Sequence, residues 1–263
     1  MTTPKTIGLI GFGRIGSYVF SRIQELEELD VGFIFEPDDS KTASINRQLV
    51  LDDISEIFSR NVDLVLEAAN FQVVEDYAEK VLETNDMLIL SLTALADKDL
   101  AGKLARTCRN NQTRVYVPHG AVLGMDGLQD ARNLLTDVEI VTRKNPTNID
   151  FSFTDEFDKG NITKETVLYN GPTRGVCSLF PRNVNAHAVV ALAGIGFDRT
   201  KSVLIADPES DAAKHHITAK GKATQLEIKR SSAIKGVTGE YTLASVFGSI
   251  RRAATNQYGF NIM

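Results

Sequence analysis

The chain has 263 residues, 43% hydrophobic and 24% charged, which is enough apolar material for more than one core. Its net charge of −5 argues against a nucleic-acid partner, whose binding relies on basic surfaces. No apolar run approaches the roughly 18–20 residues that cross a bilayer. The polar opening Met-Thr-Thr-Pro-Lys enters a core strand at once, so neither a leader peptide nor a membrane partner is expected.

The first element is an apolar strand that runs from Ile7 into Gly11-Phe12-Gly13-Arg14-Ile15-Gly16, followed by helical spacing. This is the dinucleotide-binding fingerprint in its strand–turn–helix context. Gly11 permits the tight turn, Gly13 has no Cβ to stand between backbone and a pyrophosphate, and Gly16 lets the helix lie close to the strand. The first-turn N–H groups, those of Arg14 and Ile15 among them, form the positive end of the helix and suit a phosphate. A second strand, Asp30 to Phe35, ends in Glu36. A carboxylate there accepts from the adenosine ribose hydroxyls and repels a 2′-phosphate, so NAD is the expected cofactor and NADP is less favoured.

Beyond a polar loop come a short helix near Ile54 to Phe58, a strand Val62 to Glu67 and a helix Phe71 to Glu83. A strand Met87 to Leu92, a helix Asp97 to Arg109 and a strand Arg114 to Val117 complete the alternation. Strands alternating with helices predict an α/β fold with a Rossmann, doubly wound parallel sheet. Ligands lie beyond the carboxyl ends of such strands, where Ala68, Ala69 and Asn70 are small enough to let a cofactor lie against backbone. His119 follows the last of these strands, and both a ligand-facing role and a loop hydrogen bond are open to it.

The character then changes. Val138 to Lys144 reads as a strand, Phe151 to Thr166 as a turn-rich loop, Val184 to Ala193 as an apolar helix carrying His187, Val203 to Ala206 as a strand and Ala223 to Lys229 as an alternating strand. A last periodic helix covers Thr242 to Ala254. The expected organisation is a dinucleotide-binding domain over 1–121, a smaller α+β substrate and dimerisation domain with a mainly antiparallel sheet over 122–240, and a final helix, about 241–263, packing back on the first domain. Cys108 and Cys177 lack paired spacing, so reduced thiols in a cytoplasmic protein are expected. Four scattered histidines offer no recognised ligand set, and no metal is expected.

Several motifs resemble the L-aspartate dehydrogenases: Glu67-Ala68-Ala69, Leu90-Ser91 through Ala94-Leu95-Ala96-Asp97, and Val115-Tyr116-Val117-Pro118 before Gly120-Ala121. Thr142-Arg143-Lys144, Phe180-Pro181-Arg182-Asn183-Val184-Asn185, Ala191-Leu192-Ala193-Gly194 with Asp198-Arg199-Thr200, and Ala206-Asp207-Pro208 continue the likeness to about residue 220. The resemblance implies NAD(P)-linked interconversion of aspartate with oxaloacetate and ammonia through iminoaspartate, cofactor contacts at Ala121 and Asn185, and a homodimer. The family's catalytic histidine follows Ala-Asp-Pro in an Asn-x-His-x-Ile context. It falls on His215, with His216 in the variable slot.

A dicarboxylic amino acid or 2-oxo acid requires cations, and Arg143, Lys144, Arg174 and Arg182, with Asn183 beside Arg182, are the candidates near the matched motifs. Three departures stand near the expected substrate pocket: His119 replaces a Ser, Ala213 replaces an Asn, and Gly236-Val237-Thr238-Gly239-Glu240 replaces a Pro- and Lys-containing turn. They leave two alternatives open, the same chemistry on another amine, imine or hydroxy acid, and a non-catalytic NAD(H)-binding sensor.

Overall fold

A computed structural model describes residues 3–235 and 238–255. The chain divides into two units, Met1–Ala94 with Lys98–Pro118 and Leu243–Met263, and Leu95–Asp97 with His119–Thr242.

The first unit is a five-stranded parallel sheet in the order β2-β1-β3-β4-β5, built from β1 Lys5–Ile10, β2 Leu29–Phe35, β3 Leu64–Glu67, β4 Met87–Ile89 and β5 Val115–Tyr116. Helices α1 Arg14–Ile23, α2 Asp39–Thr42, α3 Phe71–Val81 and α4 Lys98–Asn111 alternate with the strands. Every residue of β3 and β4 is buried, as expected of parallel strands covered on both faces. Ile7 and Leu9 of β1, Ile34 of β2 and Leu66 of β3 form one core with Val19 and Ile23 of α1. Val246, Phe247 and Ile250 of the final helix, Glu240–Ala254, join that core at a spacing that puts them on one stripe. Residues 256–263, included in the expected final helix, lie outside the described residues, as do Gly236 and Val237 of the altered turn.

In the second unit the sheet order is β10-β9-β6-β8-β7, from β6 Leu135–Lys144, β7 Thr166–Pro172, β8 Lys201–Ala206, β9 Ala213–Gly221 and β10 Thr224–Ser232. The sheet is mixed: β6 runs parallel to β8, and the other pairings are antiparallel. Helices α5 Met125–Ala131, α6 Thr173–Leu179 and α7 Asn185–Ala193 accompany it. A short ribbon, β11 Ile234–Lys235 with β12 Thr238–Gly239, precedes the final helix. In α7 the run His187 to Ala191 is buried, so this helix has no solvent stripe and is sequestered on most of its circumference. β7, β9, α5 and α6 add to the elements expected from the sequence. β9 escapes a hydrophobic-period search because its inward positions are Ala213, His215, Ile217 and Ala219, only one of them strongly apolar.

Candidate active site

Three loops meet at the carboxyl end of the first sheet. The Gly11 N–H donates to Phe35 O (2.8 Å) and the Ala68 N–H to Ile10 O (2.8 Å), so the ends of β1, β2 and β3 are tied together. Gly11 has φ +95°, and an added Cβ would lie 2.7 Å from Ala68 O; a side chain is excluded on both counts. A Cβ on Gly16 would stand 2.1 Å from Gly11 O, which confirms that this glycine permits the close approach of α1. At Gly13, by contrast, a Cβ would meet nothing within 4 Å, and the residue caps α1 with no side-chain acceptor. Open space over a helix N-terminus with no built-in cap is what a pyrophosphate needs. Arg14 is exposed and Ile15 half-buried beside it.

Glu36 sits against this turn, 7% exposed. It accepts from Phe12 N–H (2.8 Å), Asp38 N–H (3.2 Å) and Lys41 Nζ (2.9 Å). Burial pushes its pKa up, but the Phe12 N–H, the Lys41 ammonium and the Asp38 N–H together bring it below the usual carboxylate value. The charge is therefore fixed, and the glycine turn and the acid form one assembly. Asn70 caps α3 by accepting from Val73 N–H (3.2 Å), which places Ala68 and Ala69 in the intervening turn.

Sequence reasoning missed the role of Glu67, although it lies in a quoted motif. Fully buried, it accepts from the N–H groups of Ala69 (2.9 Å), Leu90 (3.1 Å) and Ser91 (2.9 Å) and from the Ser91 hydroxyl (2.9 Å). Burial pushes its pKa up against these four donors. One carboxylate thus joins the loops after β3 and β4, a task that only their folded proximity reveals.

The second unit holds a polar cluster inside its sheet. Register places Thr142 of β6 opposite His215 of β9, and His215 opposite Arg230 of β10. His215 is 5% exposed, and its Nδ1 lies 2.9 Å from Thr142 Oγ1. Its Nε2 has no partner among the described residues and is not one of the sealed, unsatisfied polar atoms. Burial, the Lys144 ammonium, His187 and the Arg230 guanidinium hold the His215 pKa well below its ordinary value, so the ring is neutral near neutral pH. His216 alternates to the other face, where its Nε2 meets Glu227 at 2.8 Å.

Lys144 is two residues beyond Thr142 on the same face of β6 and only 4% exposed. Its Nζ donates to Asn183 O (3.1 Å), no carboxylate pairs with it among the described residues, and burial pulls its pKa down to about 8. The Asn183 side chain is consumed in a two-way clamp on Asp150, accepting from its N–H (3.0 Å) and donating to its carbonyl (2.7 Å). Its service to the cluster is its own carbonyl, which orients Lys144.

Arg230 was not among the residues expected from sequence, because only strand register shows that it flanks His215. Its Nη1 donates to Ala121 O (2.6 Å), its guanidinium lies 4.4 Å over the Tyr241 ring, and no carboxylate pairs with it among the described residues. The remaining cations are occupied, Arg174 by Asp198 (2.6 Å). Arg143 points to the opposite face of β6 and pairs with Glu165 and with Asp207 (3.1 Å). Arg182 is 3.2 Å from Asp150 and stacks on Phe153. His119 Nδ1 engages Val122 O at 3.1 Å, the loop bond that was one of its two readings. Asn185 opens α7.

A glycine-turn Rossmann unit and a second unit whose sheet buries a neutral histidine beside two carboxylate-free cations define an NAD(P)-binding oxidoreductase. Residues 11–118 match the family described as "Homoserine dehydrogenase, NAD binding domain", and residues 126–253 that described as "Aspartate dehydrogenase, C-terminal". An L-aspartate dehydrogenase of Nitrosopumilus maritimus is 32% identical over 83% of this chain and 84% of its own length. One from Methanosarcina barkeri is 34% identical over 85% and 86%. The chain belongs to the L-aspartate dehydrogenase family. Its fold is similar to that of aspartate dehydrogenase from Thermotoga maritima, with a TM-score of 0.73 at 24% identity over 98% of this chain and 99% of the other. Among the described residues no helix is long and apolar enough to cross a membrane.

Proposed function

We propose that the chain catalyses the NAD-linked interconversion of L-aspartate and water with oxaloacetate and ammonia through iminoaspartate. The observation that carries this reading is the row Thr142–His215–Arg230 with Lys144 on the same face of β6: one neutral base and two cations that no carboxylate of the described chain neutralises. A dicarboxylate supplies the two missing negative charges. When bound, the nicotinamide cofactor accepts or supplies the hydride at C2 of the substrate. Lys144 and Arg230 hold the carboxylates and orient that carbon. His215 Nε2 takes the proton from the water that adds to the imine carbon, and returns it to the departing ammonia. Ala68, Ala69 and Asn70 follow β3, where a cofactor would lie against backbone, and Ala121 and Asn185 are the contacts that the family likeness adds; residues 1–121 with the final helix would serve cofactor binding and 122–240 the substrate. Family likeness suggests a homodimer as the working form, and the two free cysteines are in keeping with the cytoplasm.

The test is a panel of small 2-oxo acids with ammonia and NADH, followed at the reduced nicotinamide band. Oxaloacetate should give the highest kcat/KM, and a monocarboxylic 2-oxo acid a markedly lower one. Equal rates for both would refute the assignment of two carboxylate-binding cations.

Cofactor choice follows from Glu36. Its fixed charge, with Asp38 and Asp39 nearby, outweighs the single Lys41 ammonium and disfavours a 2′-phosphate. Glu36→Gln keeps an acceptor for the Phe12 N–H but removes the charge. The expected result is a fall of about 10-fold or more in the NAD over NADP ratio of kcat/KM, on the order of the 1.5–3 kcal/mol that a hydrogen bond to a charged group contributes. An unchanged ratio would show that Glu36 serves the turn alone.

A further inference from the structure

His187 is fully buried on α7, and the chemistry above gives it no task. Its Nε2 lies 2.7 Å from Thr142 Oγ1, the same oxygen that lies 2.9 Å from His215 Nδ1. Its Nδ1 is sealed from solvent and has no partner among the described residues. A hydroxyl carries one proton, so Thr142 donates to only one of the two rings, and the other ring must donate an N–H to Thr142.

Two proton orders result. In one, His215 Nδ1–H donates to Thr142, whose own O–H donates to His187 Nε2. In the other, His187 Nε2–H donates to Thr142, which donates to His215 Nδ1. A histidine that takes and returns a proton at Nε2 keeps its other proton on Nδ1 in both states, and only the first order allows that. In the second order His215 already carries its proton on Nε2 and has no lone pair there to offer.

We propose that Thr142 and His187 are positioning residues for the dehydrogenase reaction: His187 Nε2 accepts from the Thr142 hydroxyl, which turns its oxygen to accept from His215 Nδ1–H, so that the His215 Nε2 lone pair faces the substrate. The Thr142–His187 pair thereby fills the orienting place that a carboxylate fills in other catalytic histidine sites. A neutral partner suits this cluster, because a carboxylate would pair with Lys144 or Arg230 and cancel the charge reserved for substrate. Burial and the nearby Lys144 ammonium hold His187 down to about 3, which keeps it an acceptor across the working range. The cations beside His215 also favour a lone pair over an N–H at its open nitrogen. His187 Nδ1 is without a partner in either order, as an N–H in the first and as a lone pair in the second, so the choice between them is made at His215.

The inference rests on His215 as the acid/base group, and two measurements separate the claims. Two-bond nitrogen–proton spectra of the whole protein with ¹⁵N-labelled histidine, its four histidines assigned with His215→Ala, report the tautomer without any substrate. The expected state is a protonated Nδ1 and bare Nε2 on His215, and an Nε2–H tautomer would overturn the proposal. Thr142→Val, nearly isosteric, should lower kcat about 10- to 100-fold with little change in the KM for oxaloacetate. Thr142→Ser should restore most of the loss and the His215 signals. Wild-type kcat in Thr142→Val, or a Thr142→Ser variant as impaired as Thr142→Val, would overturn it. A wrong substrate assignment shows only in the assay, and a wrong proton order shows in the spectrum.

Discussion

Replacing His215 with alanine is expected to lower kcat about 100- to 10,000-fold, the usual contribution of a positioned acid/base group, while NADH affinity stays at the wild-type value. The separation follows from where the two functions are built. The cofactor turn draws on Gly11, Gly13, Gly16 and Glu36, all in the first unit, whereas His215 belongs to the sheet of the second. Fluorescence titration with NADH alongside steady-state kinetics checks both halves. Undiminished turnover would remove His215 from the chemistry.

The wild-type pH profile carries the same information. In the free protein, burial, Lys144, His187 and Arg230 hold His215 below its ordinary value. A bound dicarboxylate offsets the two cations, so the His215 pKa rises in the complex. Aspartate oxidation needs the neutral ring, so its rate falls as pH drops through that pKa. The acid limb of kcat, which reports the complex, is expected at higher pH than the acid limb of kcat/KM, which reports the free enzyme.

The second large effect is at Lys144. Lys144→Met should reduce kcat/KM for aspartate by roughly 30-fold to a few thousand-fold, equivalent to the ~2–5 kcal/mol lost when one partner of a buried charge pair is truncated. The same variant should melt at a higher temperature than the wild type. Burial brings Lys144 down to about 8, and a depression of that size corresponds to an order of 3 kcal/mol spent on keeping an ammonium in the fold. Between about pH 8 and its ordinary value the unfolded chain binds the proton and the folded one does not, so the wild type gains stability as pH rises through that window. Methionine removes the cost and fills a similar volume. Loss of activity with a raised Tm marks a residue kept for function. Loss of both would indicate that Lys144 serves the fold.

The fingerprint, Glu36 and the alternation of strands and helices were legible because each is local: a glycine turn, an acid at a fixed distance and a hydrophobic period can be read along the chain. The sheet of the second unit was less legible. β9 spends its inward positions on His215 and small residues, and β7 is an exposed-face strand with an irregular register between Val167 and Tyr169. Its one parallel pairing, β6 with β8, joins strands separated by β7, α6 and α7, which no local pattern encodes. Arg230 and Glu67 share that difficulty. Arg230 lies one residue beyond the strand expected over Ala223 to Lys229, in phase with Leu226 and Ile228, and only register sets it beside His215. Glu67 gains its four donors only when β3 and β4 align. Among the cations expected from sequence, alternation along β6 turns Lys144 inward, away from any carboxylate of the described residues, and turns Arg143 outward to Glu165 and Asp207.

The most direct measurement follows the hydrogen itself. The protein would be supplied with oxaloacetate, ammonia and NADH carrying deuterium at both C4 positions, and the product examined by mass spectrometry and proton NMR. Aspartate bearing one deuterium at its α-carbon is the expected product. Unlabelled aspartate, α-deuterated malate in its place, or no product at all would contradict hydride transfer to an imine held by His215, Lys144 and Arg230.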